Sequence, residues 1–149
     1  MYEGDMTWYL NNEEFTSENI GDSIGFVYRI TNKTNGMKYL GKKLFVSTNR
    51  LPPLKGKTRK RIVKKESDWK TYFGSSEEVK MLVEQLGTDA FHREILYVCK
   101  SKGEMSYIEA KLQFQFDVLL RDDYYNGIIQ CKIHRTHAKS LKSMLDNIV

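Results

Sequence analysis

Three residues in this chain are spaced so that they could act together on one substrate. Tyr28 and Tyr39 lie in the stretch FVYRITNKTNGMKYLG with ten residues between them, each in an arm of an expected β-hairpin whose turn is signalled by Asn35-Gly36. If the turn holds two residues, Tyr39 faces Asn32; if it holds four, Tyr39 faces Ile30. In either case it shares a sheet face with Tyr28, because side chains two apart point the same way. A three-residue turn separates the two hydroxyls. A phenol with a pKa of about 10 is a poor base at neutral pH, but nearby positive charge makes it useful in proton transfer. Two tyrosines packed on a sheet satisfy the same pattern.

Glu109 is the third residue. At about 100° per residue, Met105, Ile108, Leu112, Phe116 and Leu119 fall in one helical stripe, and Glu109 falls inside it. A carboxylate turned toward a core is costly unless it is paired, hydrogen-bonded or bound to a cation. Either a salt bridge to a basic neighbour or a single-carboxylate metal site satisfies it, the latter being how Mg²⁺ is often held when water and phosphate complete its shell. Cys131-x-x-His134-x-x-His137 offers three further possible ligands, but the spacing matches no standard zinc unit.

The elements that must position these groups follow from local signals. Phe26–Thr31 and Met37–Gly41 read as antiparallel strands and Arg93–Cys99 as a third. Ser75 with Glu78, and Ser101 with Glu104, form capping-box patterns that open helices, the first closed by Gly87 and the second running to about Leu120. A last helix is expected over 138–148. The order β-β-α-β-α implies an α+β domain with a small, mainly antiparallel sheet. Residues 1–24 read as an irregular or loosely docked arm anchored by Trp8, Tyr9 and Leu10, residues 25–131 as the domain with a basic insertion at 50–65, and 132–149 as a helical tail.

The net charge of +5 conceals a partition. Residues 1–22 hold six acids and no base, residues 23–65 thirteen bases and no acid, and residues 66–149 eleven bases and thirteen acids. KGKTRKRIVKK, following Pro52-Pro53, is expected to begin as an exposed loop and to suit a polyanion. Lys43, Lys55, Lys57, Arg59, Lys60, Lys64 and Lys65 are the candidate contacts to DNA phosphates. Two cysteines are too few for a disulfide framework, so a reducing, cytoplasmic setting is expected. No signal peptide or membrane-spanning run is read.

Together these pieces resemble the GIY-YIG nuclease superfamily over residues 25 to 130. The triplets Phe26-Val27-Tyr28 and Tyr39-Leu40-Gly41 match its opening motif in spacing; FHREIL, YIEAKLQF and YYNG are similar to the later motifs of phage-encoded homing-type members. The resemblance implies three antiparallel strands flanked by helices and hydrolysis of DNA phosphodiesters with one divalent metal, Mg²⁺ or Mn²⁺, in a bacterial cytoplasm. It implies Glu109 as metal ligand, Tyr28 as general base, Tyr39 as a positioning hydroxyl and Asn126 as the residue that orients the site. It also implies an arginine opposite them, for which Arg50, eleven residues beyond Tyr39, and Arg61, in the insertion, are the candidates. Phe26 stands where the family usually has glycine. Specificity would come from the insertion, the C-terminal helix, a homodimer or a partner. A catalytically silent DNA-binding module of the same fold is the alternative.

Overall fold

The β-branched and aromatic runs fold as strands and the capped stretches as helices in the computed structural model, which describes residues 4–132 and 135. In chain order the elements are β1 (Trp8–Leu10), β2 (Glu13–Phe15), β3 (Gly25–Asn32), β4 (Lys38–Leu44), β5 (Val46–Leu51), β6 (Arg61–Glu66), α1 (Glu77–Leu86), β7 (Phe91–Cys99) and α2 (Lys102–Gln115). Five strands form one sheet in the order β2-β1-β7-β3-β4, with β1 parallel to β7 and the other neighbours antiparallel; β5 and β6 form a separate two-stranded ribbon. The expected three-stranded antiparallel sheet is therefore only the centre, β7-β3-β4, of a larger mixed one.

The two additional strands come from the N-terminal arm, which is not irregular. Trp8 is 2% exposed and its indole N–H donates to the Trp69 carbonyl at 2.8 Å. Burying so large a ring is enough to dock a three-residue strand that would not form alone. Asn11 and Asn12 both take positive φ, 52° and 66°, between the paired residues Leu10 and Glu13. That two-residue turn matches the strand twist and so joins β1 to β2.

The sheet has a core on each face because side chains alternate along β3. Phe26, Tyr28 and Ile30 pack with Trp8, Trp69 and the α1 residues Val79 and Val83, while Val27 packs with Leu40 and the α2 residues Met105, Ile108 and Leu112. The cap of α1 is Ser76, one residue later than expected, accepting from the Val79 N–H. The second helix stops at Gln115 rather than near Leu120. Asp117, at φ 51°, turns the chain left-handed while the N–H groups of Asp117 and Val118 return to the carbonyls of Phe114 and Gln113. Leu119 thus leaves the stripe and is 47% exposed. Basic residues expected to begin as a loop continue into β6, whose Ile62-Val63 pair favours a strand. The helix expected over 138–148 lies outside the described residues. No helix among the described residues is long and apolar enough to cross a membrane.

Candidate active site

The hairpin register settles the face on which the tyrosines stand. Lys33–Gly36 make a four-residue turn, Tyr39 pairs with Ile30 and Tyr28 with Gly41, so both phenols lie on the α1 face, ring centres 6.3 Å apart. An irregularity in the β3–β7 ladder between Val27 and Tyr28 adjoins them, a place where bulges re-aim side chains. Tyr28 is 1% exposed, and its hydroxyl occupies room left by a glycine: a β-carbon at Gly41 would stand 2.5 Å from Tyr28 Oη. The glycine of the second triplet is thus required by the tyrosine of the first.

Tyr39 is less deeply placed, and its hydroxyl is 2.9 Å from Ser75 Oγ. Ser75, expected as a helix cap, instead holds a site tyrosine. Burial pushes the Tyr28 phenol well above its ordinary range, and the neighbouring Tyr72 and Tyr39 phenols and the Glu109 charge push it further. Tyr39 is raised by burial too, against the lowering effect of its Ser75 hydrogen bond. Both phenols are therefore protonated at neutral pH, and cationic charge must reach them before either can accept a proton.

Glu109 lies on α2 with 13% of its side chain exposed and its Oε1 3.8 Å from Lys42 Nζ. Lys42 makes its closer contact, 2.8 Å, to Ser106 Oγ, so it only loosely compensates the carboxylate. Burial raises the Glu109 pKa while Lys42 opposes that rise. The charge of Glu109 acts on both Tyr28 and Tyr39, which gathers the three groups into one electrostatic neighbourhood around the outer strand β4. One helical turn beyond Glu109, the buried Gln113 Oε1 has no partner among the described residues. A buried carboxylate with a weak partner and an unpartnered amide oxygen nearby suit a hard divalent cation. No group of three or more His, Cys, Asp or Glu residues that could hold a metal occurs among the described residues. His134 and His137 of the cysteine-histidine motif lie outside the described residues.

Asn126 closes the edge of β4 as a backbone mimic. Its Oδ1 accepts from the Leu40 N–H at 3.0 Å and its Nδ2 donates to the Leu40 carbonyl at 2.8 Å. Gln113 Nε2 donates to the same carbonyl at 3.1 Å. Leu40 sits between Tyr39 and Gly41, so these bonds fix both from the outside.

Arg50 and Arg61 sit on the β5–β6 ribbon, where Arg61 Nε donates to the Pro52 carbonyl at 3.2 Å. Among the described residues no hydrogen bond, ion pair or ring contact joins either to the tyrosines or Glu109. Lys43 pairs with Asp68 at 2.6 Å and its ammonium stands 4.1 Å over the Tyr72 ring. Lys55, Lys57, Arg59 and Lys60 are exposed in the segment joining β5 to β6, and Lys64 and Lys65 are exposed on β6. Two residues at the site carried no clear sequence signal. Tyr72 packs edge-on against Tyr28 with ring centres 5.9 Å apart. Arg93, 2% exposed, lies 4.5 Å from the Trp8 ring and 4.3 Å from the Phe73 ring and donates to the carbonyls of Tyr72 and Met6. Burial brings its pKa down to about 10, so it remains a cation that holds Tyr72 in place.

The site thus brings together a paired-tyrosine hairpin, a helix-borne glutamate and an asparagine bonded to the edge strand. The chain belongs to the GIY-YIG nuclease superfamily. Within it, the matching family is described as “Putative endonuclease segE, GIY-YIG domain”, and the match spans residues 8–129, from β1 to beyond Asn126. No curated protein and no solved structure matches the chain.

Proposed function

We propose that the protein is a DNA endonuclease that hydrolyses phosphodiester bonds with one divalent cation, Mg²⁺ or Mn²⁺, held by Glu109. The observation that carries this reading is the weakly paired, mostly buried Glu109 carboxylate sharing an electrostatic neighbourhood with two tyrosine hydroxyls on one sheet face. When bound, the cation would stabilise negative charge on the phosphate and leaving oxygen and ease ionisation of the nearby phenols. Tyr28, fixed in its glycine slot, would accept the proton of the attacking water. Tyr39, steadied by Ser75, would orient water or phosphate. Lys42, 3.8 Å from Glu109, would offset charge on the substrate, with Arg50 reaching the phosphate from the ribbon. Asn126 acts through Leu40 as a positioning residue.

The alternative is a DNA-binding module without catalysis, favoured by the lack of any arginine bonded to the tyrosines among the described residues. Plasmid and linear duplex incubated with purified protein in Mg²⁺, Mn²⁺ or EDTA, beside Glu109→Ala, separate the two. Cation-dependent cleavage is expected, reduced by about two orders of magnitude or more in the variant. Equal cleavage by the variant removes Glu109 from the mechanism; binding without cleavage under every condition favours the silent module.

A further inference from the structure

The β5–β6 ribbon is unlike the rest of the described sheet structure because its strands pack chiefly against each other. All six residues of β6 are exposed, and Val46, Leu54, Ile62 and Val63 leave apolar side chains in solvent. An isolated two-stranded hairpin is marginal in water, so this surface is better explained by a partner that covers it. Residues 46–66 contain eight bases and one acid, which makes that partner a polyanion.

The register divides the ribbon into two faces. One carries the pairs Val46/Glu66, Thr48/Lys64 and Arg50/Ile62; the other carries Ser47/Lys65, Asn49/Val63 and Leu51/Arg61. Val46, Thr48 and Lys64 of the first face line a cavity of about 240 Å³ with Ile24, Leu44 and Lys102. On the second face Asn49, Arg61, Val63 and Lys65 are exposed and Ser47 and Leu51 are half-buried.

We infer that this second face, through its exposed Asn49, Arg61 and Val63, enters the major groove of duplex DNA and reads base edges there; the inference rests on the nuclease reading above and deepens it. Two strands about 4.8 Å apart, with their side chains, fit a groove about 12 Å wide and not one about 6 Å wide. The chemistry of the face matches that groove. Asn49 offers the carboxamide that bonds adenine through N6 and N7, and Val63, directly opposite it, offers an apolar surface to a thymine methyl. Arg61 offers the fork that bonds guanine O6 and N7, its Nε bond to Pro52 steadying the side chain. Lys55, Lys57, Arg59 and Lys60 in the connecting segment reach phosphates, which sets orientation without reading sequence. Sequence preference therefore resides in the ribbon, apart from the tyrosines.

The test selects bound sites from a random duplex library with the full chain carrying Glu109→Gln, alone and with Asn49→Ala plus Val63→Ala, or Arg61→Lys. The parent is expected to select a short consensus, and the ribbon variants to relax it by roughly tenfold or more at individual positions while retaining the salt dependence of binding. Methylation of guanine N7 should block binding to the selected site, and a minor-groove ligand should not. An unchanged consensus in the ribbon variants, no consensus in the parent, or competition only by the minor-groove ligand overturns the inference. Plasmid cleavage by the unsubstituted protein is scored in parallel. Cleavage with an unchanged consensus removes the ribbon inference alone, whereas a ribbon-dependent consensus with no cleavage in any divalent metal removes the nuclease reading alone.

Discussion

Glu109 carries a cost that its neighbours only partly offset. Its folded-state pKa is raised by burial, with Lys42 opposing, so ionisation is less favourable in the fold than in the unfolded chain. By linkage, a carboxyl shifted in this direction stabilises the fold most when both states are protonated and loses that contribution as pH rises through the folded value. At neutral pH the protein bears the penalty; below about pH 4 it does not. Glu109→Gln should therefore raise the melting temperature at pH 7 by a few degrees, and the difference should vanish toward pH 3.5, in thermal melts across that range. A variant less stable than the parent at pH 7 would show that the Lys42 pair outweighs burial. Such a variant, inactive yet more stable, separates a functional carboxylate from a structural one. At this scale much was legible before the fold was known: hairpin parity governs whether Tyr28 and Tyr39 share a face, and the helical wheel marks Glu109 as out of place. Tyr72 and Arg93 were not legible, because nothing local in WKTYFG says that this segment folds back over Tyr28.

At the scale of elements, the unexpected strands β1 and β2 share a cause. Each short strand exists because of what it docks on, and such contacts leave little trace in local pattern. Trp8 shows this: it meets Phe26 at 4.9 Å and Tyr28 at 5.5 Å between ring centres and donates to Trp69. The signal for an anchor is present in Trp8, Tyr9 and Leu10; only β7 decides that the anchor is a strand. The same logic explains why strands β3, β4 and β7, long and regular, were readable while β1 and β2 were not. Trp8→Ala should cost about 3–5 kcal/mol in urea denaturation, a large part of the 5–15 kcal/mol typical of a domain. Tyr9→Ala, on a partly exposed position of the same strand, should cost less than half as much. A Trp8→Ala loss below about 1 kcal/mol would mean that the strand docks weakly and does not support the face bearing Tyr28.

The molecule as a whole separates its charges by strand order. The sheet runs β2-β1-β7-β3-β4, so the acid-only N-terminal segment with Glu13 and Glu14 forms one edge, and Lys38, Lys42 and Lys43 lie on the strand at the other, which leads into the ribbon. Four interstrand steps of about 4.8 Å put the edges about 19 Å apart, more than twice the screening length of about 8 Å at physiological salt. The two edges therefore act almost independently on an approaching polyanion, and DNA should engage the β4 edge and ribbon without feeling the acids. If the connecting segment of the ribbon supplies phosphate contacts, replacing Lys55, Lys57, Arg59 and Lys60 with Gln removes up to four counterion-releasing sites. The slope of log affinity against log salt should then become shallower by up to about 3.6, at about 0.9 per phosphate, with the melting temperature unchanged because these side chains are exposed. Glu13→Gln plus Glu14→Gln, at the opposite edge, should leave that slope where it was. Fluorescence anisotropy titrations of one duplex between 50 and 200 mM salt, about the range over which such slopes show, make the comparison. An unchanged slope in the ribbon variant, or an equal change from the far edge, would place the DNA elsewhere on the surface and take the phosphate-binding role away from the ribbon.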